Sequence, residues 1–445
     1  MELKFEQSDK ECCTGTAGLC FVGKAINKNT SLRQDMMKIE KRHGISNMDL
    51  ARSYIGLLVL GRHHFDAIDD YRYDDWFKES LGIKQMPSSS TLRLRFNEDA
   101  KKLIPAIEAA LPEVLINLNA PLTPLAESLD PAQHTPLDID VTPQDNRNTK
   151  KEGVSCTYKH FDGYAPIIAY IGQEGWCMGL ELRPGSQHSQ NDFIPFLNTV
   201  IHRARRFTQN CLLLRLDSAH DAEDTRKEVT HHKNIDHIIK LNPRKEHTIT
   251  RWLPEFEARG VEWQGLRPGK EYATLSVINE TEYGKQRLII RIIKRTTDSV
   301  GQMFLTPDYE LDGWWTTLSE DNYKDDHVIL LYEDHATSEQ FHSEFKTDMD
   351  LERPPSGKFD TNDLVMCLGA LAYNILRYMG QASLLGPESP VRHSASRRRI
   401  KTVIQKLIYQ TARFIRKGHQ SILRFGYHSP ALKSFMKLFP EKSLC

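Results

Sequence analysis

The stretch APIIAYIGQEGWCMGLEL, residues 165–182, decides the fold of this 445-residue chain. Its two apolar runs, 165–172 and 176–182, are separated by a Gly-Gln-Glu-Gly turn, which predicts two strands joined as a hairpin. A shorter apolar run at 137–141 precedes them and is also typical of a strand. Three neighbouring strands of this kind predict the antiparallel half of a sheet.

Helices and strands alternate after this half. Residues 191–207 predict a helix with one apolar face, and residues 211–216 are an apolar strand interrupted only by Arg215. A helix at 220–232 and a strand at 235–241 follow. The order strand, strand, strand, helix, strand, helix, strand predicts an α/β sheet of the ribonuclease-H-like kind, whose later strands are reached by helical crossovers.

The changing character of the sequence divides the chain into five segments. Four prolines from 121 to 136 indicate a linker into the core, and the segments TLSVI (274–278) and QRLIIRIIK (286–294) are β-rich. We expect a helical N-terminal region at 1–120 and an α/β core in two parts, at 121–244 and 319–380. A mostly-β domain, 245–318, is inserted between those parts, and a basic helical C-terminal region occupies 381–445.

The composition is that of an ordinary globular protein. Hydrophobic residues make up 39% and charged residues 27% of the chain. No window approaches 18 uninterrupted apolar residues, and the first residues lack the basic start and apolar run of a signal peptide. We therefore expect no membrane span and a cytoplasmic location.

The eight cysteines include no CxxC pair. Cys12, Cys13 and Cys20 lie close enough in sequence for a metal cluster, but free thiols in a reducing compartment are the simpler interpretation. The histidines at 220, 231, 232 and 237 do not have zinc-ligand spacing, so we expect them to be surface or core residues.

Charge is balanced over the whole chain but distributed unevenly. Residues 381–445 contain 13 Lys and Arg residues against two acidic residues, a net charge of +11. Aromatic residues interleave with these basic residues, a combination that favours binding to phosphate backbones. The central basic cluster of this segment is Arg397, Arg398, Arg399 and Lys401.

A second basic segment lies near the N-terminus. The stretch SSSTLRLRF (88–96) begins with hydroxyl side chains suited to capping a helix and carries Arg93 and Arg95. A short capped helix with arginines is similar to the second helix of a helix-turn-helix. A plain capped helix explains this segment equally well.

Two aspartates follow apolar strands. Asp140 ends the first strand in LDID, and Asp217 ends the fourth in LLLRLD. Both would lie at the carboxyl edge of the sheet, where the functional sites of α/β folds gather. Asp138 lies two residues before Asp140 on the same strand face and is its competitor. We prefer Asp140 because it is nearer the carboxyl end.

A predicted helix at 332–346 carries a row of functional side chains. Tyr332, His335, Glu339, His342 and Lys346 are spaced by 3, 4, 3 and 4 residues, which places them along one helical stripe. The roughly opposite stripe is apolar and is expected to pack into the fold. A solvated face is the alternative, although a purely structural helix has little need for such a row.

Phosphodiester chemistry explains this combination of residues. Asp140, Asp217 and Glu339 are the predicted catalytic residues and metal ligands, because carboxylate oxygens suit Mg²⁺ or Mn²⁺. Two such ions roughly 4 Å apart activate an attacking oxygen and stabilise a leaving oxygen. Lys346 and His335 would then hold neighbouring phosphates, and Tyr332 would donate to one.

The spacing Tyr332-x2-His335-x3-Glu339-x6-Lys346 resembles the Tyr-Arg-Glu-Lys signature of bacterial insertion-sequence DDE transposases. The stretches EQFHSEFK (339–346), DVT (140–142) and RLDSAHD (215–221) are similar to the Glu and Asp motifs of that family. Residues 163–189, FDAIDDYRYDDWF (65–77) and SSSTLRLRF (88–96) also resemble it. The resemblance covers most of residues 50–380.

This resemblance implies cut-and-paste transposition. The implied reaction is metal-dependent cleavage at the ends of a mobile element, through hairpin ends, followed by transfer of the freed 3′-hydroxyl into target DNA. The implied partners are double-stranded DNA with terminal inverted repeats and a second copy of the chain in a synaptic complex.

The resemblance also assigns further DNA contacts. His342 belongs to the Glu-centred motif, and Trp314 or Trp315 in the insertion would stack on a base flipped out near the cleavage site. One position departs from the signature, because His335 stands where the family has arginine. Histidine lacks the bidentate and permanently charged guanidinium, which puts the phosphate role of this position in doubt.

Two other functions remain open at this point. A non-catalytic DNA-binding protein on a transposase scaffold is favoured only by the His335 departure. A metal-dependent nuclease without strand transfer would use the same three carboxylates.

Overall fold

The computed structural model describes residues 3–5, 8, 11–39, 44–298, 300–418 and 420–440. The strands in this part of the chain are β1 (Cys12–Thr14), β2 (Thr135–Val141), β3 (Gln144–Asp145), β4 (Ser155–Cys156), β5 (Asp162–Tyr164), β6 (Ile167–Ile171), β7 (Trp176–Glu181), β8 (Leu212–Leu216), β9 (Ile235–Lys240), β10 (Gln264–Arg267), β11 (Lys270–Thr281), β12 (Gly284–Thr297), β13 (Met303–Thr316), β14 (Ala412–Lys417) and β15 (Gln420–Phe425).

The helices surround these strands on both sides. They are α1 (Leu19–Lys28), α2 (Leu32–Lys38), α3 (Asn47–Val59), α4 (Asp75–Leu81), α5 (Ser89–Asn117), α6 (Phe193–Phe207), α7 (Glu223–His231), α8 (Ile249–Ala258), α9 (Asp325–Glu333), α10 (Thr337–Ser343), α11 (Phe359–Ser383), α12 (Ile400–Val403) and α13 (Leu432–Leu438). None of the helices in the described part of the chain is long and apolar enough to cross a membrane.

A nine-stranded mixed sheet runs through the molecule in the order β10-β11-β12-β13-β9-β8-β2-β6-β7. Strand β6 is antiparallel to its two neighbours β2 and β7, whereas β8 and β9 are parallel to β2. This agrees with the predicted order of three antiparallel strands followed by two helical crossovers. Every residue of β6 and β8 is buried, as expected for strands covered on both faces.

The segment 245–318 extends this sheet. Its helix α8 and strands β10 to β13 enclose a small core of their own, in which Trp252 and Phe256 pack on the isoleucines of β12. Strand β13 then pairs with β9, with Trp314 opposite Lys240 and Trp315 opposite Ile239. The four strands are therefore continuous with the central sheet.

A helical layer covers one side of the sheet. Its centre is α11, whose residues are almost all buried and which packs along α5 and α3. Helix α5 starts at the Ser88 cap and continues without a break through Pro105 and Pro112 to Asn117. Each proline removes one backbone donor, but packing against α11 holds the helix through both positions.

The prediction of a helical C-terminal region needs correction. Beyond the end of α11 at Ser383, only α12, a π-helical turn at Ile404–Ile408, and α13 are helical in the described part of 381–445. Strands β14 and β15 form a hairpin instead, and β14 also pairs with β1 from the other end of the chain. The segment ARFIRK alternates between apolar and polar residues and suits a strand with one buried face. The prediction rested on the number of basic residues and did not consider this alternation.

The turn between β6 and β7 touches the helix that carries Glu339. Gly175 has a φ of +72°, in the left-handed region that favours glycine. A Cβ atom at Gly175 would lie 2.5 Å from the ring of Phe341 in α10. The turn and α10 are thus packed without spare space.

Gly175→Ala is expected to reduce the free energy of unfolding by about 2–4 kcal/mol, because left-handed strain and overpacking against Phe341 act together. Gly260→Ala is the matched control, since Gly260 has a φ of +61° and open space around its Cβ position. The control should lose only about 1 kcal/mol in urea unfolding. Equal losses in the two variants would contradict the close contact.

Candidate active site

Asp140 and Asp217 meet at the carboxyl edge of the sheet. Strands β2 and β8 are parallel neighbours with Ile139 opposite Leu216, so the residues that follow this pair are Asp140 and Asp217. Asp217 also caps the short 3₁₀ turn Ser218–His220 and accepts a hydrogen bond from the Ala219 amide at 3.2 Å. Both carboxylates remain partly open to solvent, with 24% and 39% of their side chains exposed.

The predicted helical stripe faces this edge. His335 Nδ1 lies 3.0 Å from Asp138 Oδ1, and His342 Nε2 lies 3.5 Å from Asp140 Oδ2. Lys346 Nζ donates to the Pro143 carbonyl at 3.2 Å. The apolar stripe on the other side is buried in the core, as predicted, and includes Phe341, Phe345 and Met349.

The helix under this stripe is not regular. It runs as α9, a 3₁₀ turn at Asp334–Ala336, α10, and a π-helical turn at Glu344–Asp348. Such π-helical turns are often found at functional sites. The stripe keeps one face nevertheless, because its two histidines and its lysine all contact the segment 138–143.

Tyr158 is affected by the charges of the three predicted carboxylates. Burial raises the pKa of Tyr158 to about 12, and the charges of Asp140, Asp217 and Glu339 add to this rise. Its side chain is nevertheless largely exposed. Sequence reasoning missed Tyr158, which follows β4 in a loop and belongs to no recognisable motif.

The electrostatics of Asp217 differ from those of an ordinary surface carboxylate. Burial and then the negative charge of Asp140 raise the pKa of Asp217 to about 7. His220 lies 3.8 Å away and is fully buried, and burial lowers its pKa to about 4. The neutral His220 imidazole therefore adds no positive charge beside Asp217, whereas His342 and His335 lower the pKa of Asp140 against the effect of its burial.

Asp138 has a different environment from Asp140. Both of its oxygens accept hydrogen bonds from the Arg215 guanidinium, at 2.7 and 2.8 Å, and only 5% of its side chain is exposed. Burial opposes ionisation, but Arg215 and His335 hold the pKa of Asp138 at about 2. Both oxygens of Asp138 are thus paired with cations inside the protein. Asp140 is the more exposed carboxylate of β2, which favours it as the metal ligand.

His335, which replaces the arginine of the signature, faces inward. The residue is 8% exposed, and although burial opposes protonation, Asp138 raises its pKa. Tyr332 lies beside it, with ring centroids 5.8 Å apart. Burial, Asp217 and Asp140 raise the pKa of Tyr332. This geometry gives His335 a partner inside the protein.

The two tryptophans of the insertion lie within the fold. Trp314 is 1% exposed, packs against Tyr332, and has the Arg291 guanidinium 4.9 Å from its ring centroid. Trp315 has the Arg226 guanidinium 4.4 Å from its ring centroid. The pairing of β13 with β9 buries Trp314, so its indole ring has no exposed face on which a DNA base could stack.

The basic residues that are predicted to contact DNA differ in their exposure to solvent. Arg95 bonds Asp99 and Asn47 in the interior, and Arg398 bonds the Leu384 carbonyl, so neither presents its charge to solvent. Three others pair with acids, namely Arg93 with Asp66, Arg397 with Glu344 and Arg399 with Asp348, and Lys401 is exposed. Arg95 and Arg398 are corrected to structural residues.

The variants Asp138→Asn and Asp140→Asn test whether Asp138 stabilises the fold and Asp140 belongs to the active site. Asp138→Asn should lower the free energy of unfolding by about 3 kcal/mol, because it leaves the buried Arg215 charge without its main partner. Asp140→Asn should cost only about 1 kcal/mol, because it weakens the contacts with His342 and the Val141 amide that lower the pKa of Asp140 but also removes the repulsion with Asp217. Urea unfolding at pH 7 measures both, and an Asp140→Asn variant as unstable as Asp138→Asn would contradict the assignment.

No curated protein matches the chain. Among solved structures, the chain is similar to a piggyBac transposase synaptic complex with hairpin DNA, determined by cryo-electron microscopy. That similarity covers 90% of this chain and 82% of the other, with 11% sequence identity and a TM-score of 0.41. A family described as transposase DDE domain group 1 matches residues 26–441, nearly the whole chain, and the protein therefore belongs to this transposase family.

Proposed function

We propose that the protein cleaves DNA at the ends of a mobile element and joins the freed 3′-hydroxyl to target DNA, with Asp140, Asp217 and Glu339 as the catalytic carboxylates. The observation that carries this proposal is the pair of aspartates at adjacent strand ends, where burial and Asp140 raise the pKa of Asp217 to about 7. Repelling carboxylates in a sheet-edge site are typical of a place that binds cations.

The donor set fits divalent metal ions. The three proposed carboxylates offer only oxygen ligands, and hard cations such as Mg²⁺ and Mn²⁺ prefer these. We propose two ions per site, which when bound would activate the attacking oxygen and stabilise the leaving one. His342 lies against Asp140 and would orient that carboxylate toward the ions.

The remaining side chains of the stripe would position the substrate. Lys346 and Tyr332 lie on the same helical face as Glu339, so we propose that they contact phosphates beside the scissile bond. His335 is better suited to positioning Asp138 than to binding phosphate, since it is buried against that residue. This internal partner gives His335 a structural role that is compatible with a catalytic site.

The strand order supports a ribonuclease-H-like core. Strands β7-β6-β2-β8-β9 place the third, second, first, fourth and fifth core strands side by side, with the last two parallel to the first. We propose that β10 to β13 are an insertion into this core between Asp217 and Glu339. Glu339 lies 122 positions after Asp217, and this separation accommodates that insertion.

The proposed substrate is double-stranded DNA with terminal inverted repeats. By the resemblance described above, two copies of the chain would join two ends in a synaptic complex, and cleavage would pass through hairpin ends. Arg93, Arg397, Arg399 and Lys401 remain the proposed contacts to the DNA backbone. A nuclease that lacks strand transfer would cut the same ends but fail to join pre-cut ends to a target duplex.

Asp217→Asn and Glu339→Gln are expected to lower cleavage by at least about a hundredfold, because each removes a ligand on which the transition state depends. The assay uses Mg²⁺ and a labelled duplex carrying the inverted repeat that flanks the gene, and a denaturing gel reveals nicked, hairpin and joined products. Binding to the same duplex in EDTA should stay within about threefold of the parent, since phosphate contacts dominate affinity.

Glu333→Gln is the matched control for this experiment. Glu333 is an exposed carboxylate at the end of α9, where it pairs with Arg291 away from the stripe. This variant should cut and join like the parent. Full activity of Asp217→Asn or Glu339→Gln would show that the carboxylates have been assigned wrongly.

A further inference from the structure

A second group of metal-binding side chains lies at the opposite edge of the same sheet. His134 immediately precedes β2, Cys211 immediately precedes β8, and Asp236 is the second residue of β9. These are the amino ends of three adjacent parallel strands. Asp140 lies six residues beyond His134, so this group is about 20 Å from the candidate active site.

The three side chains converge. Their ligand atoms all lie within 4.8 Å of one another, which is true of no other such group in the part of the chain that the structure describes. His134 Nε2 lies 3.1 Å from Asp236 Oδ2, and Cys211 Sγ lies 3.8 Å from the same oxygen. Tetrahedral zinc with ordinary bond lengths requires nitrogen–oxygen and sulfur–oxygen separations of about 3.3 and 3.6 Å.

The surroundings hold these ligands in place. Asp130 accepts from His134 Nδ1 at 2.8 Å and is itself bonded by the Tyr323 hydroxyl at 2.6 Å. Thr317 donates to the second oxygen of Asp236 at 2.8 Å. A histidine that ligates a metal through one nitrogen commonly donates from the other to a carboxylate in this way.

We propose that His134 Nε2, Cys211 Sγ and Asp236 Oδ2 bind one zinc-type divalent ion, with water as the fourth ligand. A mixed nitrogen, sulfur and oxygen set selects zinc or cobalt over Mg²⁺. The side chain of Asp236 is 32% exposed, which leaves a path for the ion and room for the water. Binding would release one proton from the imidazolium and one from the thiol to solvent.

Without a bound metal ion, His134 forms ion pairs with Asp130 and Asp236. Burial lowers the pKa of His134, but the bonds to Asp130 and Asp236 outweigh it and raise the pKa to about 9. The metal would take the place of the proton that His134 directs to Asp236. Because Thr317 follows β13 and Tyr323 precedes α9, the site would tie the insertion and the Glu339 helix to the strand ends.

Cobalt spectroscopy of the full chain tests this proposal. After removal of metals with EDTA and dialysis, one equivalent of Co²⁺ should produce a thiolate-to-cobalt charge-transfer band. Cys211→Ser should abolish the band, and Asp236→Asn should weaken Co²⁺ binding at least tenfold. Cys156→Ser should keep the band, because Cys156 is an exposed thiol on β4.

Thermal unfolding provides a second readout. Zn²⁺ at about a hundred times its dissociation constant should raise the Tm of the parent by roughly 3 °C and leave that of Cys211→Ser unchanged. Asp217→Asn should retain the cobalt band, so this test is independent of the proposed DNA chemistry. A band that is missing from the parent, or that persists in Cys211→Ser, would show that the group is an ion pair only.

Discussion

Arg215 joins the three chain segments on which the candidate active site depends. Its guanidinium is 2% exposed and donates to both oxygens of Asp138, to the Leu331 carbonyl at 2.9 Å and to Asp334 at 2.9 Å. Strand β8 is thereby bonded to β2 on one side and to the end of the Glu339-bearing helix on the other. A planar fork with five donors can make this three-way connection, and a lysine cannot.

The pair of Asp138 and Arg215 also explains how the repelling carboxylates of Asp140 and Asp217 are held together. Asp138 and Arg215 are opposite one another in register, and Asp140 and Asp217 lie two residues further along the same strands. The charge-balanced layer therefore lies directly beneath a layer that is net negative. Repulsion between Asp140 and Asp217 cannot be relieved by sliding the strands apart, because that movement would leave a buried charge unpaired at a cost of about 3–5 kcal/mol.

The order of strands and the face of the helical stripe were predictable, because both follow from local periodicity. The choice between Asp138 and Asp140 was not, since it depends on Arg215, which appeared in the sequence only as an interruption of an apolar run. The inward direction of His335 depends on the same internal charges. The C-terminal hairpin was missed for a different reason, because its outer partner is β1, about 400 residues away, and pairing over that distance leaves no local pattern.

The two ends of the parallel strands solve the problem of buried charge in different ways. At the amino ends, the His134 imidazole lies between Asp130 and Asp236 and bonds both carboxylates within the protein. At the carboxyl ends, Arg215 is directed to Asp138 and His342 lies beside Asp140, whereas burial and the charge of Asp140 raise the pKa of Asp217 to about 7. The energy of the carboxyl-end site therefore changes when a cation arrives. The buried Asp138–Arg215 pair fixes the strands beneath this site, so the framework need not move when the charge at the edge changes.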